Sequence, residues 1–225
     1  MQLHPASFEF LKAINDYNTR KFFGTVRPLY DEILDNIKQI CTEAIKRISE
    51  FDPDVADLQP KDCLFRIYRD ARRIKEWWPL YKNNRWMVLS PGWKNSSLPW
   101  YYFHMQPWGK SFFWWWVYRP EPAHLRNLRN YLSKHWDKYK KIMAKASFKK
   151  HFGEIQWTSL TRPPLGFKNY THYLEYIQRK QHLVYKTFSD KEILEADIVD
   201  LFVEHAKAAY EWMNFLRVGS LTKHE

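Results

Sequence analysis

The chain has 225 residues, with Lys+Arg 36 against Asp+Glu 25 and a formal net charge of +11. Charged residues at 27% and aromatics at 18% exclude a disordered chain, which has little to bury. No window approaches the roughly 18 consecutive apolar residues of a spanning helix, and Met1-Gln2-Leu3-His4-Pro5 lacks a basic stretch followed by an apolar run.

Only Cys41 and Cys63 are present, and two cysteines in a chain of this length read as buried small hydrophobes in a reducing compartment. The expectation is a cytoplasmic protein with no membrane partner and no cofactor. The basic excess favours polyanions through counterion release, so nucleic acid is one expected partner class. That charge is spread along the chain, however; its densest pieces are residues 66–82 and 134–150, and on a helix such a run reads as a solvated face.

In chain order, Ser7 is a plausible cap for a short helix over residues 8–15. Pro28 suits the first turn of a second helix, whose Leu29, Ile33, Ile37, Ile40, Cys41, Ala44 and Ile48 recur at three- and four-residue steps as one buried stripe. Phe51-Asp52-Pro53-Asp54 ends it. Residues 63–70 alternate like a strand, with Phe65 and Ile67 opposite Arg66 and Tyr68.

Two aromatic strands follow, at about residues 100–106 and 112–118, joined as a hairpin by Pro107-Trp108-Gly109-Lys110. Pro120 and Pro122 introduce a helix to about Ala146. A proline-bearing loop at 161–167 precedes a helix at about 170–179 and a strand at about 182–188. Ser189 and Glu192 have capping-box spacing for a last helical region that buries Ile198, Leu201, Phe202, Trp212, Phe215 and Leu216, and Gly219 closes it. Antiparallel strands with helices at both ends predict an α+β fold, an antiparallel β-sheet with flanking helices in a single domain over residues 1–225.

The run Pro60-Lys61-Asp62-Cys63-Leu64-Phe65-Arg66-Ile67-Tyr68-Arg69-Asp70 resembles the signature of the domain-of-unknown-function family 2461. Lys75, Glu76, Tyr81 and Lys82 match part of that family's next element. Asn18-Thr19-Arg20-Lys21-Phe22-Phe23, Tyr101-Tyr102-Phe103-His104, Tyr118, Pro120-Glu121-Pro122, the helix with Leu125, Arg126, Leu128 and Arg129, and Arg162-Pro163-Pro164-Leu165-Gly166-Phe167 are also similar to it. The resemblance covers roughly residues 8–216 and implies an α+β domain, but no activity. Where that family tends to have glycine, this chain has Trp86, Trp93, Trp100, Trp108, Trp115 and Trp116. Either those glycines served space rather than positive φ, or the local backbone differs. Repeated replacement of this one kind reads as laboratory redesign or as natural divergence.

The candidate site is a cationic set, Arg66, Arg69, Lys75, Lys82, Arg126, Arg129 and Arg162, with Asp70 and Tyr81 beside it. Arginine forks bind carboxylate or phosphate, and lysine adds a movable charge. The bland alternative is an arginine–aspartate buttress, with Asp70 pairing Arg69, Arg72 or Arg162. A second expectation is an aromatic pocket at Trp93, Trp100, Trp115 and Trp116 for a flat or cationic molecule, set against indoles that are simply core. No cysteine pair at ligand spacing and no nucleotide fingerprint occurs, and Glu121 with His124 is a weak metal motif. The resulting reading is a domain that binds a small-molecule ligand with an anionic or aromatic group. The alternatives are a hydrolase using Asp70, Lys75 and Tyr81, and a nucleic-acid-associated protein.

Overall fold

The computed structural model describes residues 1–70, 72, 78–91, 98–116, 121–153, 159–167 and 173–223, with only the backbone of Trp116. Among these, helices α1 (Ser7–Asp16), α2 (Arg20–Thr25), α3 (Arg27–Ser49) and α4 (Pro60–Cys63) precede strands β1 (Arg85–Leu89), β2 (Trp100–Met105) and β3 (Ser111–Trp116). There follow α5 (Pro122–Lys134), α6 (Trp136–Ala144), α7 (Ala146–Phe152), α8 (Leu174–Ile177), β4 (Leu183–Phe188), α9 (Asp190–Glu195) and α10 (Ile198–Leu221). The strands form one antiparallel sheet in the order β1-β2-β3-β4, and the fold class is the expected α+β. No described helix is long and apolar enough to cross a membrane.

Packing divides the chain into two compact units, with boundaries that fall inside β2, β3, β4 and α10. Unit 1 is Met1–Leu89, Tyr102–Phe113 and Thr187–Glu204; unit 2 is Ser90–Tyr101, Trp114–Lys186 and His205–Glu225.

In unit 1, α3 is the spine. Pro28 sits in its first turn, and Ile33, Ile37, Ile40, Cys41, Ala44 and Ile48 are buried as their spacing requires, with Tyr30 and Ile45 added to the stripe. Ser7 does not cap α1. Its amide is already bound to His4 O at 2.9 Å, the cap position falls on Ala6, and the Ser7 hydroxyl is buried without a partner. Thr19 does cap α2, its hydroxyl accepting from the Phe22 amide at 3.1 Å.

Residues 63–70 are not a strand. Pro60 opens a helical turn in which the Asp62 carboxylate reaches back to the Gln59 amide at 3.2 Å. Beyond it, only the isolated antiparallel bridges Leu64–Met87 and Tyr68–Tyr81 form. The alternation read from the sequence survives as burial alone, with Ile67 buried between exposed Arg66 and Tyr68.

The five-residue connection between β2 and β3 places Trp108 at φ 68° and Gly109 at φ 66°, both in the left-handed region. Both amides donate to the Asp190 carboxylate, at 2.9 and 2.7 Å, which braces the strained tryptophan against the start of α9. Trp108 is the one non-glycine residue with positive φ among those described, so Trp86, Trp100 and Trp115 carry no such strain. Ser189 and Glu192 form the expected capping box, at 3.2 Å and 2.7 Å.

In unit 2 the expected helix to Ala146 is broken twice, at His135 and Lys145, which leave helical ψ. The two breaks let each short helix bury its own apolar pair: Leu128 and Leu132, Tyr139 and Ile142, Phe148 and Phe152. Tyr139 meets Phe215 of α10 at 5.1 Å and Phe148 meets Trp212 at 6.0 Å, with Leu216 also buried; Leu201, assigned to unit 1, is only half-buried. Gly219 does not end α10, which runs on to Leu221. A Cβ there would lie 2.9 Å from both Leu128 Cδ1 and Tyr131 Cδ1, so the glycine permits close approach of two helices. Of the helix expected at 170–179, residues 173–179 are described; only Leu174–Ile177 is helical, as α8, and Arg179 instead pairs with Ser159 in an isolated antiparallel bridge.

Candidate functional site

Three pieces of unit 1 enclose a cleft of about 290 Å³. Tyr30, Leu34 and Lys38 recur every four residues and so form one edge of α3. The facing wall is Pro60, Lys61, Leu64, Phe65 and Arg66, and Arg85 at the head of β1 completes it. Four of these side chains are cationic and none is a carboxylate.

The cations differ in their commitments. Lys38 bonds Asp35 at 2.8 Å on the helix surface. Lys61 and Arg66 are exposed and join no ion pair among the described residues. Arg85 is only 4% exposed, its guanidinium lies 5.7 Å from the Tyr30 ring centroid, and its buried Nη1 has no hydrogen-bond partner. Burial lowers its pKa, with the Tyr30 hydroxyl pulling the other way. A buried guanidinium with the Tyr30 hydroxyl beside it but no carboxylate among the described residues is costly to keep, because the desolvation of the charge is only partly repaid. A second void beside Arg85, Trp86 and Met87 measures about 10 Å³, the size of a water site at most.

Lys82 sits directly behind this lining. Its ammonium donates to Arg66 O at 2.9 Å and lies 4.8 Å from the Trp86 ring centroid and 5.8 Å from that of Phe65. Burial, then Arg85 and Arg69, push its pKa down to about 8. Arg69 lies over Trp78 at 5.7 Å, with a buried Nε that has no partner.

Of the residues singled out in the sequence, Arg66, Arg69 and Lys82 are therefore brought together. Asp70 is clamped by Arg72, whose amide donates to it at 3.1 Å and whose Nε and Nη2 donate at 3.0 Å. Tyr81 is buried and stacks on Phe23 at 4.3 Å, while Asn18 holds both its amide and its carbonyl. Burial raises its hydroxyl pKa. Arg126 and Arg162 are exposed residues of unit 2. Arg129 donates to Ile177 O at 2.8 Å and Arg179 O at 3.3 Å. Lys75, Trp93 and the side chain of Trp116 lie outside the described residues.

Sequence reasoning missed Lys38, Lys61 and Arg85. The signals were there: Lys38 continues the four-residue step of Tyr30 and Leu34, and Arg85 heads the apolar run Trp86-Met87-Val88-Leu89.

The indoles divide. Trp115 is fully buried in unit 2, edge-on to Phe152 at 4.8 Å and parallel to His205 at 6.0 Å, while Trp100 is half-buried. In unit 1 a partly open aromatic face runs across the sheet instead. Trp86 meets Tyr102 and His104 edge-on, and Phe112 stacks on His104 at 4.6 Å. The Tyr102 hydroxyl and His104 Nδ1 are 2.9 Å apart, and His104 Nε2 is 2.8 Å from Gln106 Oε1. Burial lowers the His104 pKa, which keeps the ring neutral and fits a proton on Nε2. Among the described residues no three of His, Cys, Asp and Glu converge to hold a metal ion.

A family model described as "Conserved hypothetical protein (DUF2461)" matches residues 6–215. No curated protein and no solved structure matches the chain.

Proposed function

We propose that this chain, which belongs to the conserved hypothetical protein family DUF2461, binds a small anionic molecule in the cleft between α3 and the 60–66 segment. One observation supports this above the rest: Arg85 is 4% exposed, lines the cleft, and keeps a buried Nη1 with no partner. A carboxylate or phosphate in the cleft would pair with the Arg85 guanidinium, and a small shift of the lining would let it accept from the buried Nη1. Lys61 and Arg66 at the rim supply further positive field, and Leu34, Leu64, Phe65 and the Tyr30 ring offer apolar surface to the ligand body. A cleft of about 290 Å³ admits a molecule of about the size of a single aromatic acid.

Calorimetric and thermal-shift titration with inorganic phosphate and with benzoate tests the reading. Saturable binding with a rise in Tm is expected for at least one anion, and its loss in Arg85→Met. Absence of heat and of any Tm shift with both anions would overturn it.

A further inference from the structure

We propose that Lys82 is a nucleophilic amine that forms an imine with a carbonyl compound whose anionic group is held in the cleft. The inference rests on the anion-binding reading and extends it to a substrate class: a small aldehyde or ketone carrying a carboxylate or phosphate.

The placement of Lys82 is the argument. Three of the residues that line the cleft surround its ammonium: Arg66 through its carbonyl at 2.9 Å, Phe65 through its ring at 5.8 Å, and Arg85 through its charge. The fourth neighbour is the Trp86 ring at 4.8 Å. An ammonium has three N–H donors, yet among the described residues it meets one oxygen acceptor, two ring faces and no carboxylate. A neutral amine fits the same place with one N–H on Arg66 O and its lone pair left over. Burial and the neighbouring guanidinium groups lower the pKa to about 8, so a usable fraction is neutral near physiological pH. Desolvation beside other cations is a recognised means of activating a lysine toward carbonyl groups. The side chain is half-buried, so it is not sealed off from small molecules.

The chemistry balances without an oxidant. The Lys82 nitrogen lone pair adds to the carbonyl carbon, forming the C–N bond, while the carbonyl oxygen takes up the amine proton to give a carbinolamine. That oxygen then leaves as water with one proton from solvent, and the product is a protonated imine. Arg85 would hold the anionic end and so raise the local concentration of the carbonyl at the amine.

Para-formylbenzoate with borohydride reduction, read by peptide mass spectrometry, tests this, with benzaldehyde as the uncharged control and benzoate as competitor. Labelling should concentrate on Lys82, exceed that by benzaldehyde roughly tenfold at equal concentration, and disappear in excess benzoate. Its yield should climb as pH passes about 8, whereas an ordinary lysine needs about 10.4. Lys82→Arg, which keeps the charge, should lose the label. Labelling on Lys38 or Lys61 instead, or on Lys82 equally by both aldehydes, overturns the inference. Benzoate binding measured calorimetrically separates the two failures. If benzoate binds through Arg85 but Lys82 stays unlabelled, the imine falls alone; if benzoate does not bind and nothing is labelled, both fall.

Discussion

Arg85 in unit 1 and the half-buried Arg129 in unit 2 both lack a carboxylate partner among the described residues, and burial lowers the pKa of each. Their donors meet different surroundings. Arg129 donates through Nε and Nη2 to two main-chain carbonyls, Ile177 and Arg179, and so ties α5 to the end of α8 and the bridge that follows. Arg85 is the more buried of the two, yet it has a nitrogen with no partner and lines an opening. On the proposed reading, burial alone does not mark a binding cation; Arg85 is set apart by lining the cleft as well as by its unpartnered nitrogen.

The sharpest way to break this contrast is to remove each charge while keeping the volume. Arg85→Met should weaken anion binding by about 2–5 kcal/mol, the cost of truncating one partner of a buried charge pair. Its stability in urea should stay level or rise, since a buried charge without compensation is often better replaced by a hydrophobe. Arg129→Met should do the reverse, losing about 2–4 kcal/mol of stability by orphaning two carbonyls and leaving benzoate affinity unchanged. A stability loss at Arg85 as large as at Arg129 would show that Arg85 is structural as well.

The rim sharpens the contrast with smaller effects. Lys61→Ala should cost the anion at most about fivefold, as an exposed charge does. Benzoate affinity should then fall with about a single power of salt concentration. A groove that neutralises many phosphates would lose affinity with many powers, which is how a nucleic-acid role would announce itself.

How much of this was legible turns on whether the physics was local. The α3 stripe, the Ser189–Glu192 box and the β2–β3 hairpin were readable because helix period, cap chemistry and turn residues act within a few positions. Residues 63–70 misled because alternation reports which side is buried, and burial can alternate along an extended chain that makes only isolated bridges. Gly219 misled because a glycine near a helix end looks like a stop. Its actual reason, Leu128 and Tyr131, lies some 90 positions earlier in the chain. Arg66, Arg69 and Lys82 were found through one motif region, whereas Arg85 and Lys38 belong to elements that only folding places opposite it. The indoles expected to form a pocket include Trp115, which proves to be core, because a strand apolar on both faces does not say which face is sealed.

Lys82 provides the subtlest test, because its cost is written in the pH dependence of stability. Its pKa is about 8 in the folded protein and about 10.4 in an unfolded chain. Between those values the unfolded state binds more protons, so unfolding becomes less favourable as pH rises from about 8 to 10.4. Below pH 8 both states carry the charge, and the full penalty for holding it in the fold is present. The side chain is about half accessible, so solvent screening reduces the effect to on the order of 1 kcal/mol. Lys82→Met should therefore be more stable than the parent near pH 7, by about that amount, and the two should converge toward pH 10.4. Urea titrations at three pH values measure it. Parallel curves with no convergence would mean that the ammonium is well solvated where it lies, and the distinction between committed and uncommitted cations would then rest on Arg85 alone.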